Sequence, residues 1–528
     1  MQTQNIPFSQ TNLFSKLILD YISEHENVKP FYNYAPNIDA MEQILQDKKT
    51  ENIDRENLVE TIKKQYADIE ILSQNVSNNI QLLEDENTFC IVTAHQLNIF
   101  AGPLYYIYKI AQTISTCKQL KEKYPNYNFV PVYWLGSEDH DFEEINHIYL
   151  FNKKIEWTDK QNGATGEYNT QSILPSIEEI KTILNVDDAN EIITLFKQAY
   201  AQPTLTKATR YLVNNLFGKH GLVIVDGNDK AFKQQFSEIV KDELLNQNSV
   251  KLVTQQLKQL ESKGYKQQAF PREINLFYLS KNSRERIVEE NSAFSIQHSE
   301  LKFTKDEMLK ELESYPERFS PNVILRPLFQ QKILPSLAYI GGAGELSYWL
   351  QLKPVFDFYK INFPQLLLRN SALLVNENTT NRIEKLGFKT ADFFKDNEIL
   401  KKEFIAKNTN EDIDVSVYKN EIEITFNKLE ELTKKIDASL VNTVGAELQK
   451  SLQSLDAIQK RLVRSLKQKN ETQLNQIEKI KTQLFPNNSL QERVENFASY
   501  YSKTGQSFID ELIDEFDIYN KQFLIIQN

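Results

Sequence analysis

Cysteine is the rarest residue in this chain. Cys90 and Cys117 are the only two among 528 residues, which excludes a disulfide-stapled secreted scaffold and a four-cysteine zinc site. Glycine (14) and proline (16) are scarce for the length, so long regular elements are expected to dominate. Basic residues number 61 against 72 acidic ones, a formal net charge of −11. That balance speaks against nonspecific attachment to nucleic acid or to an anionic membrane surface, both of which favour a basic face. A small molecule or a protein is the expected partner. No apolar run approaches the roughly 20 residues of a membrane helix. The opening MQTQNIPFSQTNLFSKLILDYI lacks the basic-then-apolar order of a signal peptide, and a cytoplasmic location is expected.

What is present reads as globular, with 41% hydrophobic and 25% charged residues. A chain this long exceeds what one hydrophobic core usually serves, so two or three domains are expected. Up to about residue 85 it looks helical and polar, with Leu58, Ile62, Tyr66, Ile69 and Leu72 at helical spacing. TFCIVTA (88–94) then reads as a strand, followed by the loop HQLNIFAGP and a helix from Leu104. FVPVYWLG (129–136) is a second buried strand. Strand, helix, strand at this spacing is the βαβ unit of a parallel sheet. GLVIVD (221–226), SLAYIGGAGE (336–345) and QLLLRNSALLV (365–375) are further strand candidates.

These readings place an α/β parallel-sheet core with N-terminal helices over 1–375, interrupted by insertions at about 150–205 and 230–320. From 376 to 485 an apolar series runs from Leu429 through Leu466 and resumes at Leu474, in alternating steps of three and four. That pattern predicts an α-helical coiled coil, with a reversal near 437–445 and an end at Pro486. Helices over 486–528 are expected to return to the core.

In open parallel sheets, ligands bind beyond the carboxyl ends of the strands. Three stretches fall there. In AHQLNIFAGPLYYIYK, Gly102 and Pro103 can close a loop ahead of a helix whose first amides favour an anion. His95 and Gln96 can bond a ligand, and Lys109 can neutralise a phosphate. In YWLGSEDHDFEEINH, Glu138, Asp139, His140 and Asp141 follow the strand and are the candidate catalytic groups. Asp141 with Glu144 resembles a capping box, so Glu143 and Glu144 read as helix chemistry. No metal site is expected, because His140 and His147 match no zinc spacing and His147 falls about two turns along a helix. Magnesium would come with a nucleotide. In YIGGAGELSYW, Gly341, Gly342 and Gly344 permit close backbone approach, with Glu345 beside them. That pattern is neither a dinucleotide fingerprint nor a P-loop. Arg272, Arg326, Gln330 and Arg369 are candidate substrate-binding residues in neighbouring segments.

Taken in order, VTAHQLNIFAGPLYYIYK, VPVYWLGSEDHDFEEINH, FPRE, ILRPLFQQKILPSLAYIGGAGELSYW and LFPNNSLQERVENF resemble the BshC family, the cysteine-adding ligases of bacillithiol biosynthesis, along nearly the whole chain. The resemblance implies a Rossmann-type core similar to class I aminoacyl-tRNA synthetases, and a C-terminal coiled coil that forms a homodimer. It also implies amide-bond formation between cysteine and glucosaminyl malate. A carboxylate does not acylate an amine unaided at neutral pH, so activation by ATP, with magnesium, is expected. Asp139 would then hold the cysteine ammonium, or His140 would relay a proton from the attacking amine. The HxGH and KMSKS motifs of class I synthetases are absent; LSKNSRE (279–285) is only a faint likeness of the second. The competing readings are another adenylating or nucleotidyl-transfer enzyme and a non-catalytic coiled-coil scaffold.

Overall fold

A computed structural model describes residues 2–69, 72–184, 190–408 and 414–527. They divide into two units. One holds the chain up to Leu373 together with Ser489–Ile526, the other Leu374–Asn488.

The first unit is built on five parallel strands: β1 (Thr88–His95), β2 (Asn128–Leu135), β3 (Val223–Asp226), β4 (Ser336–Gly341) and β5 (Gln365–Leu368), in the spatial order β5–β4–β1–β2–β3. The chain lays down β1, β2 and β3 in one direction, then returns to place β4 on the far side of β1. This is a doubly wound, Rossmann-type sheet, and its reversal point lies between the carboxyl ends of β1 and β4. The strands are continuous apolar runs because both faces are covered. Helix α1 (Leu104–Lys123) packs on β1 and β2 and on the C-terminal helix Gln506–Glu515. Covered on two sides, it buries Lys109, Gln112, Thr113, Ser115 and Thr116 along with its apolar residues. Cys90 and Cys117 are both buried and unbridged.

Between β2 and β3 lie the hairpin His147–Leu150/Lys153–Glu156 and the helices Leu174–Leu184 and Asn190–Tyr200. Between β3 and β4 come the helices Lys230–Asn246 and Asn248–Ser262 and a five-stranded antiparallel sheet. The LSKNSRE stretch forms the turn between two of its strands, Leu276–Ser280 and Ser283–Glu290.

Several elements differ from the sequence-based expectation. QLLLRNSALLV is two strands, β5 and Ala372–Val375, in different sheets. Arg369 breaks the run, because its buried guanidinium turns to Glu492 at 2.7 Å. The C-terminal return contains a strand, Gln522–Gln527, as well as helices, and the Leu524 N–H donates to Ser371 O at 2.9 Å. The N-terminal helix Arg55–Gln65 stops before Ile69 and Leu72.

In the second unit, helices Ser416–Ile436 and Val441–Lys469 form an antiparallel hairpin that turns over Ala438–Leu440, with Lys419 paired to Asp456 at 2.6 Å. Gly445 lies inside the second helix and does not form the turn. The apolar series is divided by function. Leu474, Ile477, Ile480 and Leu484 are buried in a third helix, Glu471–Leu484, whereas Leu429, Leu432, Ile436, Leu440, Ile458 and Leu462 of the hairpin are exposed.

Glu492 is fully buried; it takes the Arg369 guanidinium on one oxygen and the Ala372 N–H on the other at 3.0 Å. Removing one member of such a pair leaves the other charge buried and uncompensated. Glu492→Ala is expected to lower the unfolding free energy by about 3–5 kcal/mol, and Arg369→Met with Glu492→Leu by much less, as read by urea denaturation of the full chain.

Candidate active site

At the reversal point the first functional group is an ion pair. The Lys109 ammonium donates to Ala94 O at 2.5 Å and to both Glu345 oxygens at 3.0 and 2.8 Å. Its three protons are thereby occupied, so Lys109 is a structural cation with none left for a phosphate. Glu345 also accepts from the Tyr339 hydroxyl at 2.6 Å and from the Gly342 N–H at 2.9 Å, which caps helix α2 (Ala343–Trp349). Burial alone would raise the Glu345 carboxyl; the Lys109 ammonium brings it down to about 2. Burial pulls Lys109 below its ordinary value, against the attraction of Glu345.

His95 ends β1 beside this pair, its ring edge-on to Tyr105 and Tyr106 at 5.3 Å each. Burial and the Lys109 charge push its imidazole down to about 3, so it is neutral at physiological pH. Its Nε2 is buried with no partner among the described residues. Across the crevice, Arg326 donates to Gln330 Oε1 and to the Tyr348 hydroxyl, at 3.1 Å each. Among the described residues no carboxylate lies within ion-pair distance of it. Burial opposes its charge, but Tyr348 and Tyr339 outweigh that and raise it above the ordinary guanidinium value. Gln330 is buried, and its Nε2 is unpartnered.

A second group follows β2. Ser137 donates to Asp226, which burial raises above the usual carboxylate range, at 2.5 Å, and Glu138 is paired with the buried Lys233. Gln96 Nε2 donates to Asp139 Oδ2 at 2.7 Å and to Glu144 Oε2 at 2.6 Å. Burial would raise Asp139, but Arg284, Gln96 and the His140 N–H overcome it and hold it low. His140 and Asp141 are exposed.

The helix expected here is one turn, Phe142–Ile145, and Asp141 does not cap it through its side chain. Gln96 has captured Glu144, so the capping box does not form. His147 begins a strand, not the second turn of a helix.

The loop after β1 places Phe100, Ala101 and Gly102 at left-handed φ values of 52°, 57° and 56°, an arrangement that costs free energy unless the surroundings enforce it. Asn496 Nδ2 enforces it, donating to Phe100 O and Gly102 O at 3.0 and 2.5 Å. The first amide of α1, following Pro103, is not free for an anion: the Leu104 N–H donates to Glu495 O at 2.8 Å. Arg369 is turned to Glu492, over the Tyr105 ring at 5.2 Å. Gly341 N-terminal to the cap is buried and Gly344 exposed, while Arg272 is exposed in a loop without a side-chain partner among the described residues.

The structure thus gathers His95, Lys109, Arg326, Gln330, Gly341, Gly342 and Glu345 at the reversal point and Gln96 with Glu138–His140 after β2. Arg272 stays apart. Tyr339, Tyr348, Lys233, Arg284 and Glu492 were not singled out by sequence; Tyr339 and Tyr348 flank the glycine turn, Arg284 lies in LSKNSRE and Glu492 in LFPNNSLQERVENF, whereas Lys233 carried no positional signal.

A doubly wound α/β sheet with unpartnered buried polar atoms at its reversal belongs to the class of folds whose ligand sites lie at the strand ends. The comparisons narrow this class. The family model described as "Bacillithiol biosynthesis BshC, N-terminal Rossmann-like domain" matches residues 1–370, and the corresponding C-terminal coiled-coil domain matches 372–528. The chain belongs to the BshC family. It is 43% identical to a protein named "Putative cysteine ligase BshC" from Flavobacterium psychrophilum, with 100% of each chain covered. It is 42% identical to one so named from Flavobacterium johnsoniae, again with 100% of each covered. One from Bacillus mycoides is 27% identical over 94% of this chain and 95% of that one. A solved "putative arginyl t-RNA synthetase" from Campylobacter jejuni overlaps 85% of this chain and 98% of its own at 12% identity and a TM-score of 0.23, a level that says nothing about fold or function.

The depressed His95 has a measurable consequence. The unfolded chain protonates this imidazole below about 6.5, the folded chain only near 3. Stability attributable to His95 is therefore complete above 6.5 and falls as pH drops towards 3. His95→Gln is expected to flatten the decline of unfolding free energy across that window, as read by urea titrations at stepped pH.

Proposed function

We propose that the chain is a cysteine ligase of bacillithiol biosynthesis, joining the cysteine carboxyl to the amine of glucosaminyl malate through an amide bond. The observation that carries this reading is identity along the whole length, 43% and 42%, to relatives bearing that name. The site supports it. A reaction between a carboxylate and an amine needs an anion seat, a cation seat and an activating reagent.

The unneutralised Arg326, the unpartnered Gln330 Nε2 and the unpartnered His95 Nε2 fit an anionic, oxygen-rich ligand. These three residues would hold ATP or the cysteine carboxylate. ATP, with magnesium, supplies the activation that turns a carboxylate oxygen into a leaving group. His95, kept neutral, orients its ligand by a hydrogen bond and is too weak a base to take a proton at neutral pH. Asp139, kept ionised, offers a seat for an ammonium group. The Gly341–Gly344 turn admits ligand close to the sheet edge. Net charge and the lack, among the described residues, of a helix long and apolar enough to cross a membrane support a cytoplasmic enzyme of small molecules. The exposed apolar stripe of the hairpin supports a homodimer formed through it.

Purified chain given cysteine, glucosaminyl malate, ATP and magnesium should form bacillithiol, measured by thiol-labelled chromatography. AMP and pyrophosphate release supports adenylation, ADP release an acyl phosphate, and no product sinks the ligase reading. Arg326→Ala should lower kcat/KM about 10- to 100-fold through loss of charge-assisted bonds, with unchanged circular dichroism, and Asp139→Asn should abolish turnover. For the dimer, Leu432→Glu with Ile436→Glu should shift sedimentation from two chains to one; an unchanged profile places the contact elsewhere.

A further inference from the structure

The exposed imidazole after β2 has a partner that the ligase reading does not use. Arg284 reaches His140 from the hairpin 144 positions away, its Nη1 lying 3.0 Å from His140 Nδ1. A guanidinium has five donors and no acceptor. In this contact, therefore, Nδ1 can only accept, and the proton of the neutral ring must sit on Nε2. We propose that Arg284 is a positioning residue that holds His140 as the Nε2–H tautomer, making it a hydrogen-bond donor to a substrate oxygen and not the acceptor of the amine proton. The substrate half of this statement rests on the ligase reading; the tautomer half does not.

The geometry leaves Arg284 little freedom. Its Nε donates to Ser320 Oγ at 3.1 Å and its Nη2 to Pro321 O at 3.4 Å. The guanidinium lies over the Phe277 ring at 4.0 Å, and the His140 ring meets the same phenyl at 5.5 Å. Phe277 thus backs both partners. The charged groups facing His140 are Asp139 and Asp141 from its own segment and Arg284 and Glu285 from the hairpin. Burial and Arg284 outweigh the three carboxylates and keep the ring below its ordinary value. Protonation would also break the Nδ1 bond and set two cations face to face. The Nε2 edge has no protein partner among the described residues, so its N–H is open to ligand.

A fixed neutral donor suits acyl transfer. When the amine lone pair adds to the activated carbonyl carbon, the π pair moves onto the oxygen bonded by Nε2–H; the adduct then expels the activating group, and the nitrogen's proton passes to it or to water. Stabilising that oxygen is a distinct task from accepting the proton.

Two readouts test this. In full-length chain carrying ¹⁵N-histidine, long-range ¹H–¹⁵N spectra should show His140, assigned by its loss in His140→Gln, with a protonated Nε2 and a bare Nδ1. Arg284→Met should shift it towards a tautomer mixture. A protonated Nδ1 in the native chain, or no change in Arg284→Met, overturns the proposal. In turnover, glutamine can mimic this tautomer, accepting from Arg284 and donating near the Nε2 position, but it cannot act as a base. His140→Gln should stay within about tenfold of native kcat, and His140→Ala should lose about 100-fold or more; equal losses overturn the donor role. An inactive native chain with the Nε2–H tautomer intact sinks the ligase reading and upholds the Arg284 assignment.

Discussion

A buried lysine and the partly buried glutamate it is paired with at the sheet's reversal set the terms for everything around them. Neither Lys109 nor Glu345 could be held there alone, since an isolated charge in that environment would neutralise or unfold its surroundings. Together they tie the end of β1, the middle of α1, the Tyr339 hydroxyl and the start of α2 into one unit. The field of the pair also fixes its neighbours. Burial and the Lys109 charge keep His95 uncharged against the opposing pull of Glu345, and Glu345, held by Lys109, lies beyond ion-pair distance of Arg326. Among the described residues the crevice holds Arg326 without a carboxylate within ion-pair distance, and the unpartnered buried nitrogens of His95 and Gln330, a setting that favours an anion.

The C-terminal return completes this arrangement from outside the sheet. Glu492 holds Arg369, the Glu495 carbonyl takes the first amide of α1, and Asn496 clamps a loop of three left-handed residues. A segment more than a hundred residues downstream thus sets the backbone next to His95. Much of the strain needed to shape the site is borne by contacts that never touch a ligand.

The core strands were legible because a strand buried on both faces writes itself as an uninterrupted apolar run, as in TFCIVTA and FVPVYWL. The ends of those runs pointed to His95, Glu138–His140 and the Gly341–Glu345 turn. What escaped was decided by distant partners. Arg369 splits 365–375 because of Glu492; Asp141 and Glu144 look like a capping box until Gln96 takes the glutamate. Arg284 lies in LSKNSRE, whose faint likeness to a synthetase motif gave no hint of its partner, and only the fold brings that hairpin to His140. Local chemistry can be read from spacing, whereas a hydrogen bond spanning 144 positions or a salt bridge spanning 123 leaves no periodic trace.

The two buried cysteines have a consequence for a chain proposed to handle a thiol. Disulfide exchange proceeds through the thiolate, and burial raises Cys90 to about 12 and Cys117 well above its ordinary value. Both sulfurs are shut away in the core, in a form that does not attack. Such a protein can work in a pool of cysteine, cystine and low-molecular-weight thiols without itself becoming part of the redox traffic, and its activity would follow the supply of its substrates, not the oxidation state of its own side chains.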